Sequence, residues 1–151
     1  MNTAHRRSST RGFVVKLLAA VSFTGACSAT DTANTGPTEG WQEPAAYRFV
    51  LDSLCGERSL LGRFEVNVKD GHVAEVAALD SAAALVIQLL GTDLVPTVGQ
   101  LLEEARAARI DGAHVNVVLD EADGHPTSIV IDWGGTDAQA CYTIGEYATR
   151  P

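Results

Sequence analysis

The 151-residue chain is poor in aromatic residues and cysteine, and it lacks the common catalytic and nucleotide-binding motifs. Aromatic residues make up only 6% of it, which disfavours a stacking platform for nucleic-acid bases. Its three cysteines include no Cys-x-x-Cys pair and no histidine at ligand spacing, so zinc is not expected. The chain also has no nucleophile-elbow, His-Glu-x-x-His, phosphate-loop or dinucleotide-binding motif. These absences disfavour several enzyme classes, and no cofactor is predicted.

Positive charge is scarce and unevenly distributed. Four of the eleven basic residues lie in the first sixteen positions, where there is no acid. Beyond residue 26, seven Lys and Arg accompany nineteen Asp and Glu, a net charge of −12. A domain this acidic repels phosphate backbones and anionic lipid head groups, so neither nucleic-acid binding nor polybasic membrane docking is expected.

Residues 1–26 have the three-part layout of a secretory signal peptide. A basic start precedes an apolar core, Leu17 to Phe23, and small residues follow. This core is too short to cross a bilayer as a permanent helix. We therefore expect export from the cytoplasm.

Cys27 directly follows Thr24-Gly25-Ala26, a pattern that resembles a bacterial lipobox. The resemblance implies acylation of Cys27, although Thr24 stands where such signals prefer Leu. The alternative is ordinary cleavage near Ala26 or Ala29, which would give a soluble secreted protein. Residues 27–40 are small and polar, cannot bury enough surface to order themselves, and are predicted to be a flexible tether.

Cys55 and Cys141 are the two cysteines that remain if Cys27 carries lipid. An even pair in an oxidising compartment indicates a disulfide, and two buried free thiols are the alternative. A bridge would require the first and last strands of the domain to lie close together.

The apolar pattern from residue 41 onward predicts strands grouped before and after helices. Alternation predicts a strand near Tyr47 to Cys55 and then a hairpin around Asp70-Gly71. In this hairpin we expect a Gly71 bulge to align apolar positions. The predicted pairs are Phe64 with Val76, Val66 with Ala74, and Val68 with His72.

Two helices are predicted in the middle of this domain. Ser81 to Leu90 is expected to be a short buried helix because of its alanines. A longer helix begins at Thr97, where a capping box with Gln100 precedes an apolar stripe, and it ends near Gly112. Trp41 is expected to pack against the edge of the domain.

Residues 120–126 raise the question of a metal or catalytic site. Counting from Asp120, the calcium-loop pattern fails at its third, fifth and twelfth positions. The alternating runs on both sides instead predict two antiparallel strands joined by a polar bend. No metal and no catalytic residue is predicted, and the candidate interaction loop consists of Asp120, Asp123, His125 and Pro126.

Together the elements predict one α+β domain over residues 41–151. It has a single antiparallel sheet of about five to six strands, with one main helix and a second short helix packed on one face. The other face is expected to be wetter.

The pattern of this domain resembles a family of bacterial exported proteins filed as domain of unknown function 6174. The similarity extends from Trp41 to Tyr147. Its matching segments are Tyr47-x-Phe49, Val66 to Val73, Thr97-Val98-x-x-Leu101, Gly124-His125-Pro126-Thr127-x-Ile129-x-Ile131-Asp132, and Asp137 with Tyr142. Members often carry a Cys-x-Cys after the first strand, whereas Glu57 stands here, which favours pairing Cys55 with Cys141. The resemblance implies an exported, often lipid-anchored domain and no particular activity.

The sequence therefore predicts a monomeric lipoprotein, anchored to the extracytoplasmic face of the membrane through Cys27. Its domain would bind an unknown protein or a small-molecule ligand at the cell envelope. The alternative function is inhibition of an extracellular hydrolase by the 120–126 loop. An enzyme is not expected, and a hydrolase of unknown type is the remaining possibility.

Overall fold

A computed structural model of the chain describes residues 40–56, 60–135 and 137–150. The elements within them, in chain order, are β1 Ala46–Cys55, β2 Gly62–Lys69, β3 His72–Ala78, α1 Ser81–Leu90, α2 Val98–Ile110, β4 His114–Leu119, β5 Pro126–Asp132 and β6 Gln139–Thr149. The strands form one antiparallel sheet in the order β3-β2-β1-β6-β5-β4, and both helices pack against it. This confirms the predicted α+β class. The predicted signal peptide, Cys27 and the tether up to residue 39 lie outside the described residues.

The core lies between the sheet and the helices, and the alternation of the strands supplies it. Tyr47, Phe49 and Leu51 of β1 are at most 1% exposed, because every second side chain of a strand points to the same face. Ile129 and Ile131 of β5 continue this surface. The sheet, with β1 and β6 at its centre, therefore forms one side of the core.

The opposite face of the sheet carries charge, as the alternation predicts. Arg63 of β2 lies within ion-pair distance of two acids, one on the neighbouring strand β1 and one on β6. Its Nε atom is 3.5 Å from Oδ1 of Asp52, and its Nη2 atom is 3.7 Å from Oε1 of Glu146. These pairs are partly exposed, so they add at most about 1 kcal/mol each.

A disulfide joins Cys55 at the end of β1 to Cys141 of β6, as predicted. The two residues are register partners with their Cα atoms 5.3 Å apart. The bridge closes a sequence separation of 86 residues, which in the chain-entropy model stabilises the fold by about 4 to 5 kcal/mol. The predicted closeness of the first and last strands is therefore confirmed.

The predicted pairing of the β2–β3 hairpin is wrong. Asp70 and Gly71 have φ values of 53° and 74°, so both residues of a two-residue turn adopt the left-handed conformation. The register shift lies inside the strands, next to Val68. The observed pairs are Lys69 with His72, Val68 with Val73, Val66 with Val76, and Phe64 with Ala78. The apolar match is thus restored within the hairpin and not at its turn.

Helix α1 occupies its predicted span, but the prediction that it is buried is wrong. Ala83 is its only buried residue. Leu85, Leu89 and Leu90 are 55%, 68% and 49% exposed. The helix is capped by Asp80, whose carboxylate accepts from the backbone N–H of Ala83 at 2.7 Å.

Helix α2 confirms its predicted start, stripe and end. The Thr97 hydroxyl accepts from the Gln100 backbone at 3.2 Å, and the Gln100 side chain accepts from the Thr97 backbone at 2.8 Å. These two bonds form the capping box. The buried residues of α2 are Val98, Leu101, Leu102, Ala105 and Ala108. Within the described residues, no helix is both long and apolar enough to cross a membrane.

Candidate functional site

The β4–β5 connection is a tight turn, which confirms the bend predicted from the sequence. The backbone N–H of Asp120 donates to the carbonyl of His125 at 2.8 Å, and that of Gly124 donates to the carbonyl of Asp120 at 3.0 Å. Gly124 has a φ of 75°, a conformation that glycine adopts without strain. The turn is therefore held by its own backbone.

Two aspartates brace this turn with their side chains. The Asp120 carboxylate accepts from the backbone N–H of Ala122 at 2.8 Å. The Asp123 carboxylate bonds both the backbone N–H and the Nδ1 atom of His125. The hydrogen bond from the His125 side chain is the main reason why the pKa of Asp123 is below its usual value. These bonds explain the acids of the loop as turn-forming groups.

His125 and Pro126 face inward, away from any partner that would approach the turn. Pro126 is fully buried, and the His125 side chain is only 12% exposed. The imidazole stacks on the ring of Tyr147, with centroids 4.1 Å apart and planes at 14°. His125 is therefore largely buried although it stands in the turn. Of the candidate interaction loop, the exposed tip consists of residues 121–123.

The turn also brings three possible metal-ligating groups together. Asp120, Asp123 and His125 each offer one ligand atom, and these atoms lie within 4.8 Å of one another. The sequence did not predict this convergence, because the spacing matches no common metal motif. The same carboxylates hold the backbone of the turn, which accounts for their positions without an ion. We assign no metal to this cluster.

An aromatic cluster continues from His125 toward the start of the domain. Tyr147 lies 5.4 Å from Tyr47 and 6.4 Å from Trp41, measured between ring centroids. A register irregularity between β1 and β6 accompanies a φ of 48° at Glu146, next to Tyr147. Burial, followed by the charge of Asp123, raises the pKa of Tyr147 to about 12. Trp41 packs on the domain through its contact with Tyr147, as expected from the sequence.

Glu43 links this cluster to the start of α2. Its Oε1 atom accepts from the Tyr47 hydroxyl and, at 3.0 Å, from the backbone N–H of Gly99. The Tyr47 oxygen in turn accepts from the backbone N–H of Val98 at 3.0 Å. A carboxylate at this position complements the positive end of the helix dipole. Burial and the hydrogen bond to Glu43 raise the pKa of Tyr47.

No pattern in the sequence indicates this arrangement. Glu43 and Gly99 are 56 residues apart, and no local pattern connects them. The one available signal is Gly99 in the first turn of a helix, where it costs stability relative to Ala. A Cβ atom there would collide with the Glu43 carboxylate, so the glycine makes room for the acid.

Two neighbouring clefts flank the start of α2, and both are lined by Thr97 and Gln100. The larger one has a volume of about 320 Å³ and includes Trp41 and Glu43. The smaller one has a volume of about 240 Å³ and includes His72 and Asp93. Their linings are polar, and a small ligand or a peptide side chain would fit either volume.

The histidines of the domain lie in separate places. His114 is at the start of β4, opposite Asp132 of β5. His72 is at the β2–β3 turn, and His125 belongs to the aromatic cluster. The fold does not bring these three histidines together on one element. Cys27, the predicted lipidation site, lies outside the described residues.

The fold and these sites define a small disulfide-bridged α+β domain with polar clefts. A family model matches residues 39–145, and the chain belongs to that family, a family of unknown function, DUF6174. This confirms the family resemblance seen in the sequence. No curated protein and no solved structure matches the chain.

Proposed function

We propose that this chain is an exported lipoprotein, anchored through acylated Cys27, whose domain binds a partner at the cell envelope. The observation that supports the proposal is the Cys55–Cys141 disulfide. Disulfides persist in oxidising compartments and are rare in the cytosol. The bridge also uses both cysteines of the domain, so Cys27, beside its run of small residues, is the cysteine left for acylation.

A binding role accounts for the clefts at the start of α2 better than an enzymatic one does. Their described residues supply hydrogen-bonding side chains, one tryptophan and acids, which suit recognition of a polar ligand or a basic peptide. The partner is an unidentified protein or small molecule, and the domain acts as a monomer. The larger cleft, around Trp41 and Glu43, is the first place to look for it.

The test of the anchor compares the full-length chain with its Cys27→Ser variant in a bacterial host. We expect the wild-type chain in the membrane fraction, with diacylglycerol on the peptide that begins at Cys27, as measured by mass spectrometry. The Cys27→Ser chain should leave the membrane fraction, whereas the control Ser28→Ala should not. Wild-type chain in the cytosol would refute the proposal. Soluble extracytoplasmic chain with unmodified Cys27 would support plain secretion.

A second candidate function is inhibition of an extracellular hydrolase. The rigid β4–β5 turn favours it, because a preformed loop loses little entropy on binding. The contact would be made by the exposed tip, since Pro126 is buried. Glu121→Ala should then weaken inhibition in a panel of secreted proteases and glycosidases, and Glu103→Ala, on the exposed face of α2, is the matched control. Equal inhibition by both variants would exclude this role for the tip.

A further inference from the structure

Helix α1 presents an apolar surface to solvent. Three of its leucines are about half exposed or more, and Leu79 and Leu94 next to the helix are 46% and 47% exposed. No residue of Ser81–Leu90 carries a charge. Single exposed leucines are common on proteins, but contiguous apolar patches mark surfaces that contact a partner or a membrane.

The fold itself does not require these leucines. The helix contacts β2 and β3, and Ala83 is the residue that it buries there. A helix that is only partly buried normally carries polar residues on its outer face. Helix α2 follows this rule with Glu103 and Arg106, which are exposed and bonded to each other. The outer face of α1 is therefore an exception to this rule, and a binding partner that covers it would explain the exception.

The start of the domain lies on the same side as the end of α1. The cleft that contains Trp41 and the cleft that contains Thr92 and Asp93 share Thr97 and Gln100 in their linings. Thr92 and Asp93 follow α1 directly in the chain. The segment that precedes Trp41 therefore joins the domain near the C-terminal end of the apolar helix.

The length of that segment sets how far α1 can be from an anchor at Cys27. Thirteen residues, 28–40, separate Cys27 from Trp41. Fully extended they span about 45 Å at most. As a flexible chain they span on average about 20 Å. Helix α1, with ten residues, is about 15 Å long. An acyl group on Cys27 would thus keep the leucines of α1 within reach of the bilayer.

We propose that α1 docks on the bilayer that holds Cys27, with Leu85, Leu89 and Leu90 inserted among the lipids and the helix lying in the membrane interface. This inference rests on the proposed lipid anchor. Anchoring through two signals holds a protein on a membrane more stably than one acyl chain does. A second copy of the chain is disfavoured as the occupant, because the part of each copy beyond residue 26 brings a net charge of −12 to the pairing.

The proposal makes a specific prediction about lipid charge. Amphipathic membrane helices commonly carry Lys or Arg and prefer anionic lipids. Helix α1 has none, and the acidic domain around it is repelled by anionic head groups. Docking should therefore be stronger on zwitterionic bilayers than on anionic ones, and salt should reduce the difference by screening the repulsion.

The experiment places a tryptophan in α1 and measures its quenching by brominated lipid. Chains with Leu89→Trp or Val118→Trp are extracted from membranes and reconstituted in vesicles of brominated phosphatidylcholine. Val118 is 48% exposed on an edge strand of the sheet and is the matched control. Relative to unbrominated vesicles, Leu89→Trp should lose a larger fraction of its emission than the wild-type chain, in which Trp41 and Trp133 set the baseline, whereas Val118→Trp should show no added loss. Brominated phosphatidylglycerol should quench Leu89→Trp less, and added salt should restore the quenching.

The outcomes separate this inference from the anchor itself. If mass spectrometry finds acylated Cys27 but Leu89→Trp is no more quenched than Val118→Trp, docking is overturned and the anchor stands. If Cys27 is unmodified and added vesicles still quench Leu89→Trp, the anchor fails and docking stands. Sedimentation as a dimer that Leu85→Gln separates, without quenching, would assign α1 to a second copy and overturn the proposal.

Discussion

The two helices pack on the same sheet, yet they relate to the core in opposite ways. Helix α2 carries charged residues on its outer face and buries five residues. Helix α1 has no charged residue, and it buries one. The more apolar helix is thus the less buried one. The apolar content of a helix predicts that it needs a partner, but not that the partner is the core of its own domain.

The difference follows from what lies opposite each helix. Helix α2 faces β4 and β5 and presents large side chains to them, and Glu43 and Tyr47 hold its first turn. Helix α1 approaches β2 at Gly62, where a Cβ atom would collide with Ala83. Close contact through two small residues leaves the leucines of α1 outside the core.

Truncating one leucine in each helix is the most direct test of this difference in burial. Leu101→Ala in α2 removes a fully buried side chain and should lower the free energy of unfolding by about 2 to 5 kcal/mol. Leu89→Ala in α1 changes a side chain that is 68% exposed and should stay within about 0.5 kcal/mol of wild type. Urea unfolding followed by circular dichroism measures both. A loss of similar size in the two variants would contradict the contrast.

The second test enlarges the one buried residue of α1. Ala83→Leu forces a larger side chain against Gly62, and overpacking of this kind should cost about 1 to 3 kcal/mol. Ala84→Leu, one position along on the exposed side, should have almost no effect. Thermal unfolding of the two variants measures the difference in their stability. Equal stability would mean that α1 is not held through Ala83.

Removing the N-cap of each helix tests whether the two helices contribute differently to stability. Thr97→Ala breaks the capping box of α2 and should cost about 1 kcal/mol of global stability. Thr97→Ser keeps the hydroxyl and should recover most of that loss. Asp80→Ala removes the cap of α1, and we expect faster hydrogen exchange in Ser81–Leu90 with little change in α2. Equal acceleration in both helices would show that they open together.

The smallest effect concerns the aromatic cluster below the start of α2, at alkaline pH. Burial raises the pKa of Tyr147 from 10.0 to about 12, so the folded state favours the neutral phenol. The resulting stabilisation is fully present below pH 10 and is lost as the pH rises toward 12. Tyr147→Phe should flatten this part of the stability profile and remove one tyrosinate from the absorbance titration. An unchanged profile would place the Tyr147 hydroxyl in solvent.

Much of the fold could be predicted because the strands obey a local rule. Alternation placed Tyr47, Phe49 and Leu51 on one face, and the capping box located the start of α2 to the residue. The register of the β2–β3 hairpin was not predicted, because a bulge can lie at the turn or inside a strand, and alternation alone does not show which of the two occurs. The exposure of α1 was not predicted for a similar reason. The hydrophobicity of a helix indicates that an apolar partner covers it, but not whether that partner is the core of its own domain.

The candidate site was predicted less well than the fold. The bend at residues 120–126 follows from its turn-forming residues, and the disulfide follows from cysteine arithmetic. The stacking of His125 on Tyr147 and the Glu43 contact with α2 join residues far apart in sequence, and no local pattern reports such contacts. Both depend on how the strands are ordered in the sheet, which the sequence left open.

The bridge between β1 and β6 has a consequence for proteolysis of the domain. Both helices and strands β2 to β5 lie between the two bridged cysteines in the chain. A single cut anywhere in that span leaves two pieces that the sulfur atoms still hold together. A cut within that span therefore does not separate the two pieces of the domain unless a reductant also opens the bridge.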